Sequence, residues 1–432
     1  MKFTAAGDVL IQKRIADGYE GFKTIGDFIR RGDGRFFNLE ASLNYEGECF
    51  ASQFSGGTYV RTNPEVLGDI EKLGFNMTSA NQNHIMDFSY EGLLRTKAEL
   101  DASNFIHAGI GCNLDEAAAP RYLETPNGRV ALIAVNTSFN PAMMAGRQTR
   151  RIPGRPGING VRHDEITVVT PEQLKAVQEI GAQTHINAPK DITRKEGYDL
   201  PLPEGFAELG PNLRFRVTTV GEEPHVEMKV NQTDLKRVIS AIEEAKFQSD
   251  YVMISIHNHQ IVGESKETVP TFIREFAHSV IDAGANAVIV HGPHLLRGIE
   301  IYKDSPIFYS LGDFIIQLYN VEIAPEEFYN KDGVHSDLSA YELLKKRSQN
   351  FTVGLMEQKV MLETVVPYWE TENGKITKLE LLPIEVVTDG IQGLRGLPRV
   401  AKDPYFMDRL NKLSEPFGVQ ITMKDGVGVC KW

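Results

Sequence analysis

Five apolar, strand-like segments of this chain each run into side chains that can hold a metal ion or move a proton. Asp8 follows Phe3-Thr-Ala-Ala, Glu40 follows residues 35–39, and Asn83, His84 and Asp87 follow residues 75–79. His257 and His259 close the segment 250–256, and His291 and His294 close 286–290. In open α/β sheets the carboxyl ends of strands are where loops converge on a site. A mixture of imidazole and carboxylate donors there suits zinc, manganese or iron rather than calcium. A bound divalent ion would polarise a carbonyl or phosphoryl oxygen and bring a coordinated water toward a pKa of about 7. Asp8, His84 and His294 could then give or take protons.

Each element has a bland alternative when taken singly. A Gly-Asp after a strand is commonly a turn, a lone Glu40 at a strand end is commonly solvated, and His257-Asn-His259 is as often structural as functional. His291-Gly-Pro-His294 is sharper, because Gly and Pro fix a tight turn that aims two imidazoles inward. The combination, in this order, carries the metal reading.

The elements that must position these residues alternate short strands with amphipathic helices, the rhythm of an α/β layer fold. A helix is expected from Asn63-Pro64 through Leu73 with Gly74 as its stop, and a second is expected to be capped by Ser89. Residues 140–225 break the rhythm and read as an insertion, with loops too long for simple connectors. The rhythm resumes with helices over 233–246 and 269–283. Beyond residue 295, β patterns dominate at 298–302, 307–311, 351–363 and 378–382, before a helix near 404–413 and a hairpin turning at Asp425-Gly426.

The chain carries 46 basic and 58 acidic side chains, a formal net charge of −12, and 41% hydrophobic residues. That is ample apolar material for a core. The acidic balance argues against nucleic-acid binding, which needs a basic footprint. The longest clean apolar run, Val130-Ala-Leu-Ile-Ala-Val135, is far below the roughly 18 residues a membrane span requires, so no membrane segment is expected. Cys49, Cys112 and Cys430 are odd in number and widely spaced, which indicates neither a disulfide framework nor a zinc knuckle. The polar start of the chain does not read as a signal peptide, and a cytoplasmic location is expected.

Gly7-Asp8-Val, Asn38-Leu-Glu40, Asn83-His84-Ile-Met-Asp87, a strand ending in His257, His291-Gly-Pro-His294, Arg297-Gly-Ile-Glu-Ile-Tyr and Tyr309-Ser-Leu-Gly-Asp-Phe314 occur in a set order. That order resembles the CapA (poly-γ-glutamate capsule synthesis) family, a branch of the calcineurin-like metallophosphoesterases. The resemblance covers residues 2–138 and 232–318, and Gly154-Arg-Pro-Gly-Ile-Asn-Gly-Val-Arg162 is similar to a stretch of one subgroup. It implies a four-layer α/β fold, two central β-sheets packed face to face and flanked by helices. The implied domain spans 1–320, interrupted by the 140–225 insertion as substrate-binding loops. Residues 321–432 would be a β-rich C-terminal extension packed on the same domain.

The resemblance further implies Asp8 and Glu40 as carboxylate ligands and Asn83 as a ligand through its side-chain oxygen. His84 would stand beside the metal as general acid or charge stabiliser, oriented by Asp87. His257 and His291 would complete one site, and His294 would belong to a neighbouring one. Departures qualify this. Leu10 stands where typical metallophosphoesterases carry a second-metal His, Glu40 replaces a bridging Asp, and Asn258-His259 replaces an aromatic and a Gly. One full site for manganese, zinc or iron is therefore expected from Glu40, Asn83, His257 and His291. A second, from Asp8, Glu40 and His294, is expected to be weak or empty, leaving Asp8 and His294 as free acid/base groups. Asp313 reads as packing under the site.

Arg147, Arg150, Arg151, Arg155 and Arg162 lie in a Gly/Pro-rich stretch. The bland reading is a solvated loop. Beside a metal site, however, rigid guanidinium forks match carboxylates and phosphates. Arg147, Arg151, Arg155, Arg162 and His259 are therefore the candidate substrate-binding residues. The expected function is a metal-dependent hydrolase of an anionic amide, peptide-like or phosphoester substrate, with metal-activated water as nucleophile. The alternative is a metal-dependent, cofactor-independent peptide epimerase exchanging a Cα proton through a metal-stabilised enolate, as CapA-like proteins of peptide natural-product clusters do. A third reading is a non-catalytic poly-γ-glutamate binding or assembly factor. The expected partner is an anionic small molecule or peptide, with homo-oligomerisation left open. No phosphate loop, complete dinucleotide motif, H-E-x-x-H or G-x-S-x-G occurs.

Overall fold

The apolar segments fold as two large sheets in the computed structural model, which describes residues 1–432. In the first sheet, Lys2–Leu10 runs parallel to Gly34–Leu39, which leads on to Met77–Ser79 and Ile106–Ala108, all parallel. The start of Lys2–Leu10 also pairs antiparallel with Glu363–Glu372, and its end pairs parallel with Asp313–Ile316. In the second sheet, Tyr251–His257 lies between Gly128–Asn136 and Ala287–His291, both parallel to it. Tyr251–His257 and Ala287–His291 are buried along their whole length, as a parallel sheet covered on both faces demands.

The inner faces of the two sheets meet in one core. Phe3, Ala5, Phe36 and Met77 pack with Val130, Leu132, Tyr251, Met253 and Ile289. Phe3 stacks on Tyr251 with ring centroids 4.0 Å apart, and Trp369 Nε1 donates to the Tyr251 hydroxyl at 2.9 Å. On the outer face of the first sheet, Phe37 and Leu39 pack with Ile25, Ile29, Ile70 and Leu73 of helices Gly21–Ile29 and Val66–Leu73. Gly74 ends the latter helix at φ +104°, the left-handed stop its position foretold. Helix Thr271–Ala283 covers Ala287–His291 in the second sheet. The layers are thus helix, sheet, sheet, helix, the four-layer arrangement that the resemblance implies.

Two local expectations fail. Ser89 is the first residue of helix Ser89–Ala102, at φ +58°, and makes no side-chain cap. Residues 351–363 do not form a strand. Gln349, Asn350 and Phe351 take left-handed conformations (φ +50°, +62° and +59°), and the short 3-10 turns Leu355–Glu357 and Lys359–Met361 follow. Three left-handed residues cannot continue an extended path, and the apolar side chains here line a cavity instead of a sheet. Helices Glu326–Asp332 and Ala340–Arg347 precede them. The β part of the C-terminal region begins at Glu363 and belongs to the first sheet, ending in the Gln420–Lys424 and Val427–Lys431 hairpin.

Residues 162–232 form a compact unit of their own, whereas 140–161 belong with the main body. This smaller unit has a four-stranded sheet containing His163–Val169, Phe206–Leu209, Leu213–Val217 and His225–Val230. Helix Pro171–Thr184 is capped by a Thr170–Gln173 capping box, and a small core of Val169, Leu174 and Ala207 holds the unit together. No helix of the structure is long and apolar enough to cross a membrane.

Ending the chain after Asn320 would strip Lys2–Leu10 of its antiparallel partner and remove the buried Trp369. Such a truncation should give no native near-ultraviolet circular dichroism. A folded 1–320 fragment would show that the C-terminal strands are not needed to complete the sheet.

Candidate metal centre

Strand register assembles the site. Asp8 stands level with Asn38 on one neighbouring strand and Asp313 on another, and His257 stands level with Asn136 and His291. Two glycines permit the close approach at these strand ends. A Cβ on Gly7 would overlap the Gly312 carbonyl oxygen, and one on Gly292, at φ +114°, would press on the Asn258 backbone at 2.9 Å. The Gly292 amide donates to Asp8 Oδ2 at 2.8 Å, which ties the end of one sheet to the end of the other.

Glu40 Oε1 lies 3.9 Å from both His257 Nε2 and His259 Nε2, which are 2.9 Å apart. Asn83 Oδ1 lies 2.7 Å from the first and 3.2 Å from the second. Asn83 Nδ2 donates to the Gly56 carbonyl at 3.1 Å, which turns Oδ1 toward the histidines. Both carboxylate oxygens of Glu40 are buried without a hydrogen-bond partner. Burial, then the charges of Asp8 and Asp313, push the Glu40 carboxyl well above its ordinary value near 4.5. Burial and the neighbouring imidazoles hold His257 and His259 well below theirs, so both are neutral with a lone pair to offer. Neutral nitrogens, an amide oxygen and an orphaned carboxylate around one point fit a divalent transition ion, whose charge supplies the compensation the chain lacks.

The structure regroups the expected residues. His291 Nδ1 lies 2.9 Å from His257 Nδ1 and 3.3 Å from Asp8 Oδ1, while its Nε2 lies 2.7 Å from Ser255 Oγ. It therefore stands with Asp8 on the opposite edge of the His257 ring from Glu40. A neutral imidazole offers one lone pair, so His257 can serve only one of these sets. Asp8 Oδ1 accepts from Asn38 Nδ2 at 2.8 Å and Oδ2 from Gly292, whereas Glu40 has nothing. Of these two sets, the Glu40 set is the one with an uncompensated carboxylate. Burial opposes ionisation of Asp8, but His291 outweighs it and holds the carboxyl below its ordinary range. His259, expected at the substrate, joins the donor set in place of His291, and its His-x-His spacing with His257 is the signal that could have placed it there.

His84 and His294 flank the set, each with a carboxylate behind it. Asp87 accepts from the Gly56 and Val60 amides at 3.0 and 2.8 Å, and its Oδ2 lies 2.7 Å from His84 Nδ1. That contact orients the ring and leaves Nε2 outside the pair. His294, at φ +63°, has Nδ1 2.8 Å from Asp313 Oδ1, so Asp313 is a partner of the histidine and not mere packing. Burial would lower the His294 pKa, but the Asp313 charge overrides it and the value rises. Both imidazoles line a cavity of about 340 Å³, and a second cavity of about 390 Å³ reaches Asn83 and His259.

The candidate arginines do not line either cavity. Arg147, Arg151 and Arg155 are exposed, and Arg155 donates to the Met144 carbonyl at 3.0 and 3.2 Å. Arg162 opens the separate 162–232 unit. A different arginine matters to the donor set. Arg297 is fully buried and donates to the carbonyls of Lys266 and Gln260 and to Asn258 Oδ1, which straps down the loop carrying His259. Burial brings its pKa down to about 10.

Elemental analysis of protein purified without a metal-affinity tag should find one equivalent of zinc, manganese or iron, lost in Glu40→Ala and His257→Ala. In the metal-free protein, the raised Glu40 carboxyl contributes stability that is present below about pH 4.5 and is lost as pH rises toward its folded value. A bound cation removes that loss. The rise in melting temperature on adding metal should therefore grow as pH rises above about 4.5; a constant difference would contradict this assignment.

Residues 2–318 match the family described as bacterial capsule synthesis protein PGA_cap. Over 99% of its length the chain is 33% identical to the Sinorhizobium fredii protein y4sH and covers 92% of it. It is 35% identical over 73% of its length to the capsule biosynthesis protein CapA of Bacillus anthracis, spanning 59% of that protein. It is 22% identical over 68% of its length to the PGA biosynthesis protein CapA of Bacillus subtilis, spanning 56% of it. Among solved structures, a hypothetical protein from Thermus thermophilus overlays 89% of this chain and 99% of its own at a TM-score of 0.40 and 11% identity. With the match running through every strand end that bears a candidate ligand, the chain belongs to the PGA_cap family of bacterial capsule synthesis proteins.

Proposed function

We propose that the protein is a metal-dependent hydrolase of an amide, peptide-like or phosphoester bond. One observation carries the reading: two imidazoles, each backed by a buried carboxylate, line the same cavity, and the His294 ring lies 5.1 Å from that of His259 in the donor set. A divalent ion held by Glu40, Asn83, His257 and His259 would supply Lewis acidity to a substrate oxygen and acidify a water. His84, with Nδ1 held by Asp87, would take a proton from the attacking water through Nε2. His294, whose pKa is raised by Asp313, would give one to the leaving group from Nε2. Asp8 is fully buried with both oxygens engaged, so it holds the Gly292 turn and His291 in place without meeting substrate.

The same pair of imidazoles supports a second reading, peptide epimerisation. There one imidazole takes a Cα proton and the other returns one from the opposite face. Leu10, which stands in the wall of this cavity, favours it, because the position gives a second ion no ligand.

Metal-loaded protein in deuterated water, assayed on capped peptides and an aryl phosphate, separates these outcomes. Release of amine or phosphate identifies hydrolysis, and deuterium at Cα without cleavage identifies epimerisation. In either case His84→Ala and His294→Ala should each lower turnover by about 10²–10⁴-fold with metal content unchanged. Variants as active as the wild type would remove both imidazoles from the mechanism.

A further inference from the structure

We infer that the centre acts on a peptide-like chain whose bulky apolar side chain seats in the 340 Å³ cavity, and not on a run of acidic residues. This rests on the hydrolase reading for what the centre is, and extends it to what the centre accepts. The cavity wall opposite His84 and His294 comes from the C-terminal region: Leu318, Tyr319, Leu344, Phe351, Val353 and Met356. Its fixed charges are one cation and one anion, Arg347 and Glu357. Arg347 is already engaged, with its guanidinium 4.5 Å over the Phe328 ring and its Nε 3.3 Å from Asp332 Oδ2. Successive carboxylates placed against this wall would lose water without gaining partners, which is costly. A large apolar side chain loses nothing there and removes its own surface from water.

Shape points the same way. The cavity lies near the lower end of the range of about 300–1,000 Å³ typical of ligand sites, room for one large residue and not for a polymer segment. A second cavity, lined by Phe54, Ser138, Phe139, Asn140 and Met143, reaches the donor set from the Asn83–His259 side. Gly56 lines both cavities, and a Cβ there would strike Asn83. An extended chain can therefore cross the centre over Gly56 with one side chain in each cavity. The left-handed run at Gln349, Asn350 and Phe351 sets the Phe351 ring into the first cavity's wall.

Isothermal titration of metal-loaded protein tests this with three probes: capped Gly-Gly-X-Gly-Gly peptides with X as 4-fluorophenylalanine or glutamate, and tetra-γ-glutamate. The fluorophenylalanyl peptide should bind about 10–100-fold more tightly than either acidic probe. Leu344→Glu and Val353→Asp, both at partly exposed wall positions, should each abolish that advantage with metal content and melting temperature unchanged. Equal or tighter binding of an acidic probe, wall variants without effect, or no binding of the fluorophenylalanyl peptide would each overturn the inference. Turnover of the acidic probes alone would overturn it while leaving the hydrolase reading intact. Tight apolar binding with no product from any peptide would instead overturn the hydrolase reading and leave the cavity's preference standing.

Discussion

The carboxylate of Glu40 is buried with no partner in its own chain, and much of the surrounding structure answers to that. Leaving an ionised carboxylate uncompensated in a protein interior is costly enough that the group normally takes up a proton or a cation. Here Asp8 and Asp313 make matters worse by adding negative charge nearby. The side chains that face Glu40 are two neutral imidazoles and an amide oxygen, which offer lone pairs and no positive charge. Donors arranged this way could hold a metal ion, which would supply the positive charge that the chain itself does not place there.

Holding four such donors at one point requires a scaffold that does not give. Two sheets packed through Phe3, Phe36, Tyr251 and Trp369 supply it, and the Asp8–Gly292 hydrogen bond joins them at the end where the site lies. The glycines at 7 and 292 let backbones approach where a Cβ would not fit. Arg297 holds the His259 loop from beneath, with three hydrogen bonds and no carboxylate partner. A buried cation paired only with carbonyl and amide oxygens is tolerable because each of those dipoles points at it. These parts position the donors; none of them need meet a substrate.

The chemistry then divides between the donor set and the two carboxylate-backed imidazoles beside it. His84 and His294 share the same cavity but differ in their carboxylate partners: Asp87 also accepts from two backbone amides, whereas Asp313 keeps one oxygen orphaned. The C-terminal region lines the space beside them with apolar side chains, among them Leu344, Phe351, Val353 and Met356.

Much of this was legible in the sequence, because its signals are local. Polar residues directly after apolar strands located Asp8, Glu40, Asn83, His84, His257, His291 and His294, and the order of those motifs pointed to the four-layer fold. Gly74 and Asp425-Gly426 marked their helix stop and hairpin correctly, since a left-handed residue is a local demand. What the tertiary structure decided is what depends on distance between strands. Register set His291 beside Asp8 and brought His259 to Glu40; the His-x-His spacing hints at the second outcome, but nothing along the chain tells of the first. Residues 351–363 have an apolar pattern that suits a strand, but they line a cavity because Gln349, Asn350 and Phe351 turn left-handed and no partner strand awaits them. Arg297 reads as one charge among many until its burial shows it bonded to three loop oxygens. The sequence names the donors through local pattern; which of them meet is fixed only when two sheets pack and their strands come into register.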